Sequence, residues 1–384
     1  MGLRRNGKRL GTVAAAALIL AAAASGHGGP SRTAGDAGGS GAYQWHLPEG
    51  FPVPVVPADN PMTEEKVALG RRLFFDARLS GDGTVSCATC HRPDLAFTDG
   101  KALAEGIGGS RHPRSAMSLT NVVYNATLGW DDPGLNRLED QMLVPLLSTR
   151  PPEMGAAGHE QWILARLKAD RDISRLFRDA FPGRDDPITL RTVVLAVASF
   201  ERTLISGDTP YDRWAYGGQP DALSADERAG ARLFFSSRLS CFACHAGFNF
   251  SGPVVYEGSG VPAALFHNTA LYNADTRGAY PEPNTGVHRH TGLAADMGKF
   301  RAPTLRNIAL TAPYMHDGSV PTLAAVIDHY AAGGRARHIG GDAATDPLMT
   351  GFTLTAEDRR QLIAFLNALT DASFAEKALV RSGR

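Results

Sequence analysis

Apolar positions fall into three patterns along the chain. Behind the basic residues Arg4, Arg5, Lys8 and Arg9, positions 13–24 form one short, unbroken apolar run followed by small residues. That layout predicts a cleavable secretory signal over residues 1–26. The run is shorter than the ~20 apolar residues a transmembrane helix needs, and a retained N-terminal anchor is the alternative. Residues 27–44 lose apolar periodicity in a Gly/Ser/Ala-rich stretch that reads as a flexible linker. Helical periodicity then begins. In TEEKVALGRRLFF, Leu69 and Leu73 stand four residues apart and Phe74 widens the same side, after a Thr63–Glu64–Glu65 start signal. SADERAGARLFF repeats the pattern, opening at Ser224 with Asp226 and Glu227 in its first turn. No later stretch has 18 consecutive apolar residues, so no membrane span is expected once the signal is removed.

Both helices end in RLFF and both run into the same chemistry. Residues 72–91 read RLFFDARLSGDGTVSCATCH, and residues 232–245 read RLFFSSRLSCFACH. These segments use all four cysteines of the chain. In an exported protein four cysteines suggest two disulfides by default, and a zinc site would need two Cys/His pairs converging on one metal. Here each pair is spaced C-x-x-C and followed at once by His, inside its own copy of a repeat. That is the attachment signature of c-type haem: two thiols add to the porphyrin edge and the adjacent imidazole binds the iron. Cys87, Cys90 and His91 are therefore expected to hold one haem c, and Cys241, Cys244 and His245 a second. The insertion GDGTVS in the first copy only indicates that the two haems have different tasks.

Composition adds limits. The 384 residues are 43% hydrophobic and 20% charged, an ordinary soluble balance long enough for two domains. A formal net charge of zero gives nucleic acid or an anionic membrane nothing to hold, and signal removal leaves the rest mildly acidic. With 42 Gly and 24 Pro, long ordered loops are expected. The predicted fold is mainly α with little strand: two cytochrome c-like domains over residues 45–215 and 216–384, each carrying one covalently attached haem.

What each haem does depends on its second axial position. Two strong protein ligands make an electron carrier, whereas an open polar face makes a site for peroxide or oxygen. Here the phrases LGRRLFFD, SCATCHRPDLAFTDG, NVVYNATLGW, FERTLISGDTPYDRW and FRAPTLRNIALTAPYMHDGSVPTLAAVIDHY resemble the bacterial dihaem cytochrome c peroxidase and MauG superfamily over nearly all the exported chain. HPRSAMSLTN, GFNFSG and FHNTALYN resemble its MbnH-type branch, whose members pair with a small copper-binding protein and oxidise a tryptophan on it.

The resemblance implies roles residue by residue. Gln141, Pro145 and Glu153 in DQMLVPLLSTRPPEMG match the peroxide-handling motif at the first haem. Read alone, Glu153 would cap a helix or face solvent. A carboxyl beside an open iron, however, can take the first proton from peroxide and return it to the leaving oxygen. His112 is a rival resting ligand for that haem, or a surface loop histidine. Tyr330 in VIDHYAAGG occupies the position where conventional members have Met and MauG-like members Tyr, and it is expected to bind the second iron. A buried Tyr with no metal is the bland alternative, and Met315 and Met297 are decoys. Trp130 matches the residue that relays electrons between the haems, although a packed core Trp would look the same. Ser115, Thr311 and Pro313 fall at the ligand positions of a calcium ion, with Ser115 in place of the usual Asn. Arg301, Arg306 and His316 are candidate partners of the haem propionates, and ordinary salt bridges would explain the arginines equally well.

Three functions follow. The first is a periplasmic MauG/MbnH-like oxidase that reacts with hydrogen peroxide and oxidises a residue, expected to be Trp, on a partner such as an MbnP-like copper-binding protein. The second is a conventional cytochrome c peroxidase, fed with electrons by a small cytochrome c or cupredoxin. The third is a non-catalytic dihaem electron-transfer cytochrome.

Overall fold

The two expected helices form where the periodicity placed them. In this computed structural model, residues 43–260, 262–336 and 345–380 are described. The expected signal and nearly all of the linker lie outside these residues. Among them run α1 (Glu64–Phe74), α2 (Cys87–Cys90), α3 (Leu138–Leu147), α4 (Glu160–Lys168), α5 (Arg171–Ala180), α6 (Leu190–Glu201), α7 (Pro210–Ala215), α8 (Ala225–Phe234), α9 (His288–Thr291), α10 (Leu323–Ala331), α11 (Ala356–Asn367) and α12 (Phe374–Val380). The fold is mainly α; β-structure among the described residues is limited to isolated bridges such as His267 with Phe300. No helix among them is long and apolar enough to cross a membrane.

Local chemistry sets the helix starts. The Thr63 side chain accepts from the Lys66 amide, and Ser224 and Glu227 form a reciprocal cap at the start of α8. Each helix then crosses a partner at a glycine of the repeat. A Cβ on Gly70 would lie 1.9 Å from the Ala196 carbonyl oxygen of α6, and one on Gly230 would lie 2.0 Å from that of Gln361 in α11. The same phenylalanines surround both crossings. Phe74 and Phe200 have ring centroids 5.2 Å apart, and Phe234 and Phe365 5.3 Å. The repeat read in sequence is thus a repeat of helix crossings, each with its own apolar core. Because backbone atoms cannot yield as a side chain would, Gly70→Ala or Gly230→Ala is expected to cost about 1–3 kcal/mol, read as a lowered denaturation midpoint.

The two halves are not separate beads. Residues 41–384 form one compact unit. Phe374 of α12, at the far end of the chain, is buried in the first core with its ring 5.5 Å from Phe97. Tyr124 and Phe248, one from each half, meet edge to face with ring centroids 4.9 Å apart beside Phe51.

Candidate active site

Both C-x-x-C-H segments follow the helices that precede them in the repeat; Cys87–Cys90 forms one α-helical turn, and Cys241–Ala243 a tighter 3-10 turn after a left-handed Ser240. The four thiols form no disulfide. Burial holds them protonated, pushing Cys90 and Cys244 up to about 11 and Cys241 to about 12; Cys87 also rises. His91 Nδ1 lies 2.9 Å from the Phe97 carbonyl, and His245 Nδ1 lies 3.2 Å and 3.1 Å from those of Phe250 and Pro303. Each ring thereby commits Nδ1–H to backbone and keeps the Nε2 lone pair free, as a metal-ligating imidazole requires. Burial lowers both rings, His245 to about 4, which keeps them in the neutral form that binds iron.

Around the second motif the chain leaves a cavity of about 220 Å³, lined by Cys241, Cys244 and His245 on one side and by Trp130, Arg301, His316 and Tyr330 on others. Helix α10 separates its two candidates as helical geometry demands. His329 turns away, its Nε2 2.9 Å from the Thr269 carbonyl, while Tyr330 lines the cavity. Tyr330's hydroxyl has no hydrogen-bond partner among the described residues. Burial and then the two cysteines raise its phenol. Met315 and Met349 also line the cavity, whereas Met297 packs with Phe300 and Tyr280 instead.

Two observations show that a haem fits here. Arg301 is 8% exposed and has no carboxylate partner among the described residues; it donates to the Gly129 carbonyl at 3.1 Å and reaches Met117 Sδ at 3.6 Å. Burial lowers it to about 10, since a buried cation without a counter-ion is costly. The Nε2 of buried His316 has no partner either. Both lack what a haem propionate supplies. Arg306 is different and corrects the expectation: fully buried, it gives both terminal nitrogens to Asp212 at 2.7 Å and Nε to the Phe248 carbonyl. It is a structural ion pair away from the cavity. Removing the propionate partner with Arg301→Met is expected to destabilise the haem-loaded protein by about 3–5 kcal/mol, measured by urea titration, whereas an Arg301 without such a role would leave the midpoint nearly unchanged.

At the first motif, Glu153 is held by its neighbours' backbones. Its carbonyl accepts from Ile107 at 2.8 Å, and the Met154 amide donates to the Pro145 carbonyl at 2.9 Å, tying the segment to the end of α3. The Glu105 carbonyl, in the same loop as Ile107, lies 3.7 Å from Cys90 Sγ. Gln141 and Pro145 stand one turn apart on α3. Lacking an N–H, Pro145 leaves the Gln141 carbonyl without its helical donor. Burial alone pushes Glu153 up to about 7, where a carboxyl can both take and give a proton. The structure also brings His112 to it, Nε2 to Oε1 3.3 Å. Burial lowers His112 as it raises Glu153, so burial disfavours the charged form of each. His112 is thus a neighbour of the acid, a role the sequence reading did not consider.

Trp130 stands in the wall between the second-motif cavity and a smaller one of about 70 Å³, its Nε1 donating to the Ser115 carbonyl at 3.0 Å. That smaller cavity brings together Ser115, Thr311 and Pro313. The Ser115 hydroxyl donates to the Met315 carbonyl at 3.2 Å. Asn125, which sequence reasoning missed, lines the same cavity with its Oδ1 buried and unpartnered. Also missed was His267, whose Nδ1 lies 2.6 Å from Asp346 and 3.7 Å from Cys244 Sγ. Nothing in the local sequence signals either one, because the contacts join residues far apart in the chain.

Comparison with known proteins agrees with this geometry. The family profile for di-haem cytochrome c peroxidase matches residues 64–220, and a RoxA-like, cytochrome c-like profile matches residues 299–332. The methylamine utilization protein MauG of Methylorubrum extorquens is 38% identical over 328 residues, 85% of this chain and 83% of that protein. The cytochrome-c peroxidase IdrP1 of Denitromonas iodatirespirans is 35% identical over 83% of this chain and 85% of its own. A crystal structure of a MauG-like protein associated with microbial copper homeostasis superposes with a TM-score of 0.84 at 45% identity, covering 87% of this chain and 97% of that one.

Proposed function

The chain belongs to the di-haem cytochrome c peroxidase family, and from that premise we propose that it is a MauG/MbnH-like oxidase of the periplasm. As a dihaem peroxidase-type oxidoreductase it carries haem c at its two C-x-x-C-H segments. When bound, these groups supply the redox-active iron with which hydrogen peroxide exchanges electrons. The chain's own residues do the rest. His91 and His245 each present Nε2 to an iron. Glu153, whose neighbour Met154 is tied to the Pro145 carbonyl, would take the first proton of peroxide and return it to the departing oxygen, so that water leaves, with Gln141 one turn before Pro145 on α3. Arg301 and His316 neutralise and orient the acidic edge of the second group. Tyr330 would be a further side-chain ligand of the second group, and Trp130 would relay electrons between the two groups.

Oxidising equivalents held in this way would pass to a tryptophan on a docked partner, a small copper-binding protein of the MbnP kind, as that residue gives up electrons; a relative's association with copper homeostasis supports that choice. The substrate never needs to enter the interior. A calcium ion would be held by Ser115, Thr311 and Pro313, with the Asn125 side-chain oxygen lining the same cavity; such neutral oxygen donors make for a weak site. The domain boundary near residues 215 and 216 belongs to the same reading, as does export by residues 1–26.

The observation that carries the proposal is Tyr330, a partnerless phenol lining the cavity of the second C-x-x-C-H. The test is carbon monoxide titration of the reduced protein. One iron of the two is expected to bind it, and no binding at either would make this an electron-transfer cytochrome. A peroxide turnover that demands a reduced small cytochrome or cupredoxin would make it a conventional peroxidase.

A further inference from the structure

Trp130 is not the end of the aromatic path. Its ring centroid lies 6.4 Å from that of His316, which stacks on Phe300 at 3.7 Å and lies 6.5 Å from Tyr272. Tyr272 is half-buried, as Trp130 is, whereas His316 and Phe300 between them are buried. Its hydroxyl donates to Asp317 Oδ2. Asp317 is 9% exposed, and its other oxygen accepts from the Ser319 amide at 3.0 Å. The exposed guanidinium of Arg335 lies 5.5 Å from the centre of the Tyr272 ring and is anchored to Ser319 Oγ at 2.8 Å.

We propose that Tyr272 and Asp317 form a proton-coupled exit through which an oxidising equivalent leaves the interior for a docked partner. The inference rests on the dihaem peroxidase reading and names the residue that hands the equivalent on. One electron passes from Tyr272 by way of His316 to the oxidised Trp130 or to the centre behind it, the oxidant being hydrogen peroxide. The phenolic O–H bond breaks and its proton forms an O–H bond on Asp317. The products are a neutral tyrosyl radical and a neutral carboxylic acid, and reduction by the partner reverses both transfers.

Three features favour this assignment. A guanidinium beside the ring opposes a positively charged tyrosine, so the electron leaves only with the proton. The acceptor is ionised: burial raises Asp317, but the Tyr272 hydroxyl, the Ser319 amide and hydroxyl and His316 together more than offset it and hold it below the ordinary carboxylate range. Other tyrosine hydroxyls donate to weaker bases: Tyr280, its ring 5.5 Å from Tyr272, donates to the Asn268 side chain, and Tyr124 and Tyr314 donate to backbone carbonyls. An amide or a peptide oxygen does not take a proton at neutral pH.

The experiment is freeze-quench electron paramagnetic resonance of the diferric haem-loaded protein after stoichiometric peroxide, with ring-deuterated tyrosine, alongside the Soret band. A tyrosyl signal that narrows on deuteration is expected. Tyr272→Phe should abolish it while the Soret response to peroxide persists. Asp317→Asn, which keeps the packing, should lower its yield about tenfold or more, because a neutral amide is no proton acceptor beside a carboxylate. A tyrosyl signal that survives Tyr272→Phe, an undiminished yield in Asp317→Asn, or a Soret response in the native protein with no tyrosyl signal overturns the exit alone. No Soret response in the native protein overturns the peroxidase reading and this inference with it.

Discussion

Glu153→Gln is expected to slow the reaction with hydrogen peroxide at pH 7 by about 10²–10⁴-fold, the usual worth of a positioned proton carrier. The carboxylate is the form that accepts the first peroxide proton. With burial holding the group at about 7, the protonated form dominates below that pH. The native rate should therefore fall about tenfold per pH unit on the acid side and level off on the alkaline side. Burial also holds His112 below its ordinary value. Glutamine keeps the shape and carries no titratable proton, so the variant's profile should be flat between pH 6 and 8. Stopped-flow absorbance at the Soret band reads both quantities. A variant that keeps both the rate and the acid limb would show that Glu153 is a structural residue of the 150–156 segment.

Tyr330→Met is expected to raise the reduction potential of the second haem by roughly a few hundred mV, within the about 0.8 V that axial ligands span. A phenolate is an anionic hard donor that favours oxidised iron, whereas a thioether favours the reduced form. The cavity itself supplies the control. Met349 lines the same walls, so Met349→Leu should leave the potential where it is. Spectroelectrochemistry of both variants decides between them. A potential that moves with Met349→Leu and not with Tyr330→Met would make the thioether the ligand and remove the main argument against a conventional peroxidase.

Much of this site was legible because its determinants are local. C-x-x-C-H is a contiguous signature, and the RLFF helices announced themselves through apolar spacing and caps at Thr63 and Ser224. Tyr330 and His329 could be told apart because adjacent residues on a helix point in different directions. What stayed hidden depends on partners remote in sequence. Arg301 and Arg306 look alike in FRAPTLRN; only the fold reveals that Asp212 has claimed Arg306 and that Arg301 has no acid among the described residues. The reason for Gly70 and Gly230 inside their helices shows only when α6 and α11 are seen against them. Asn125, Asp346 and the Tyr272–Asp317 pair likewise act across long separations that no periodicity encodes.

The central claim is that the Tyr330-ligated centre stores oxidising equivalents rather than accepting electrons from a cytochrome. Stoichiometric hydrogen peroxide added to the purified diferric protein, with no reductant present, tests it most directly through optical and Mössbauer spectra. The account predicts a long-lived state two oxidising equivalents above the diferric form, distributed over both haems and lost in Tyr330→Met. A protein that stays inert to peroxide until one haem is reduced would contradict it.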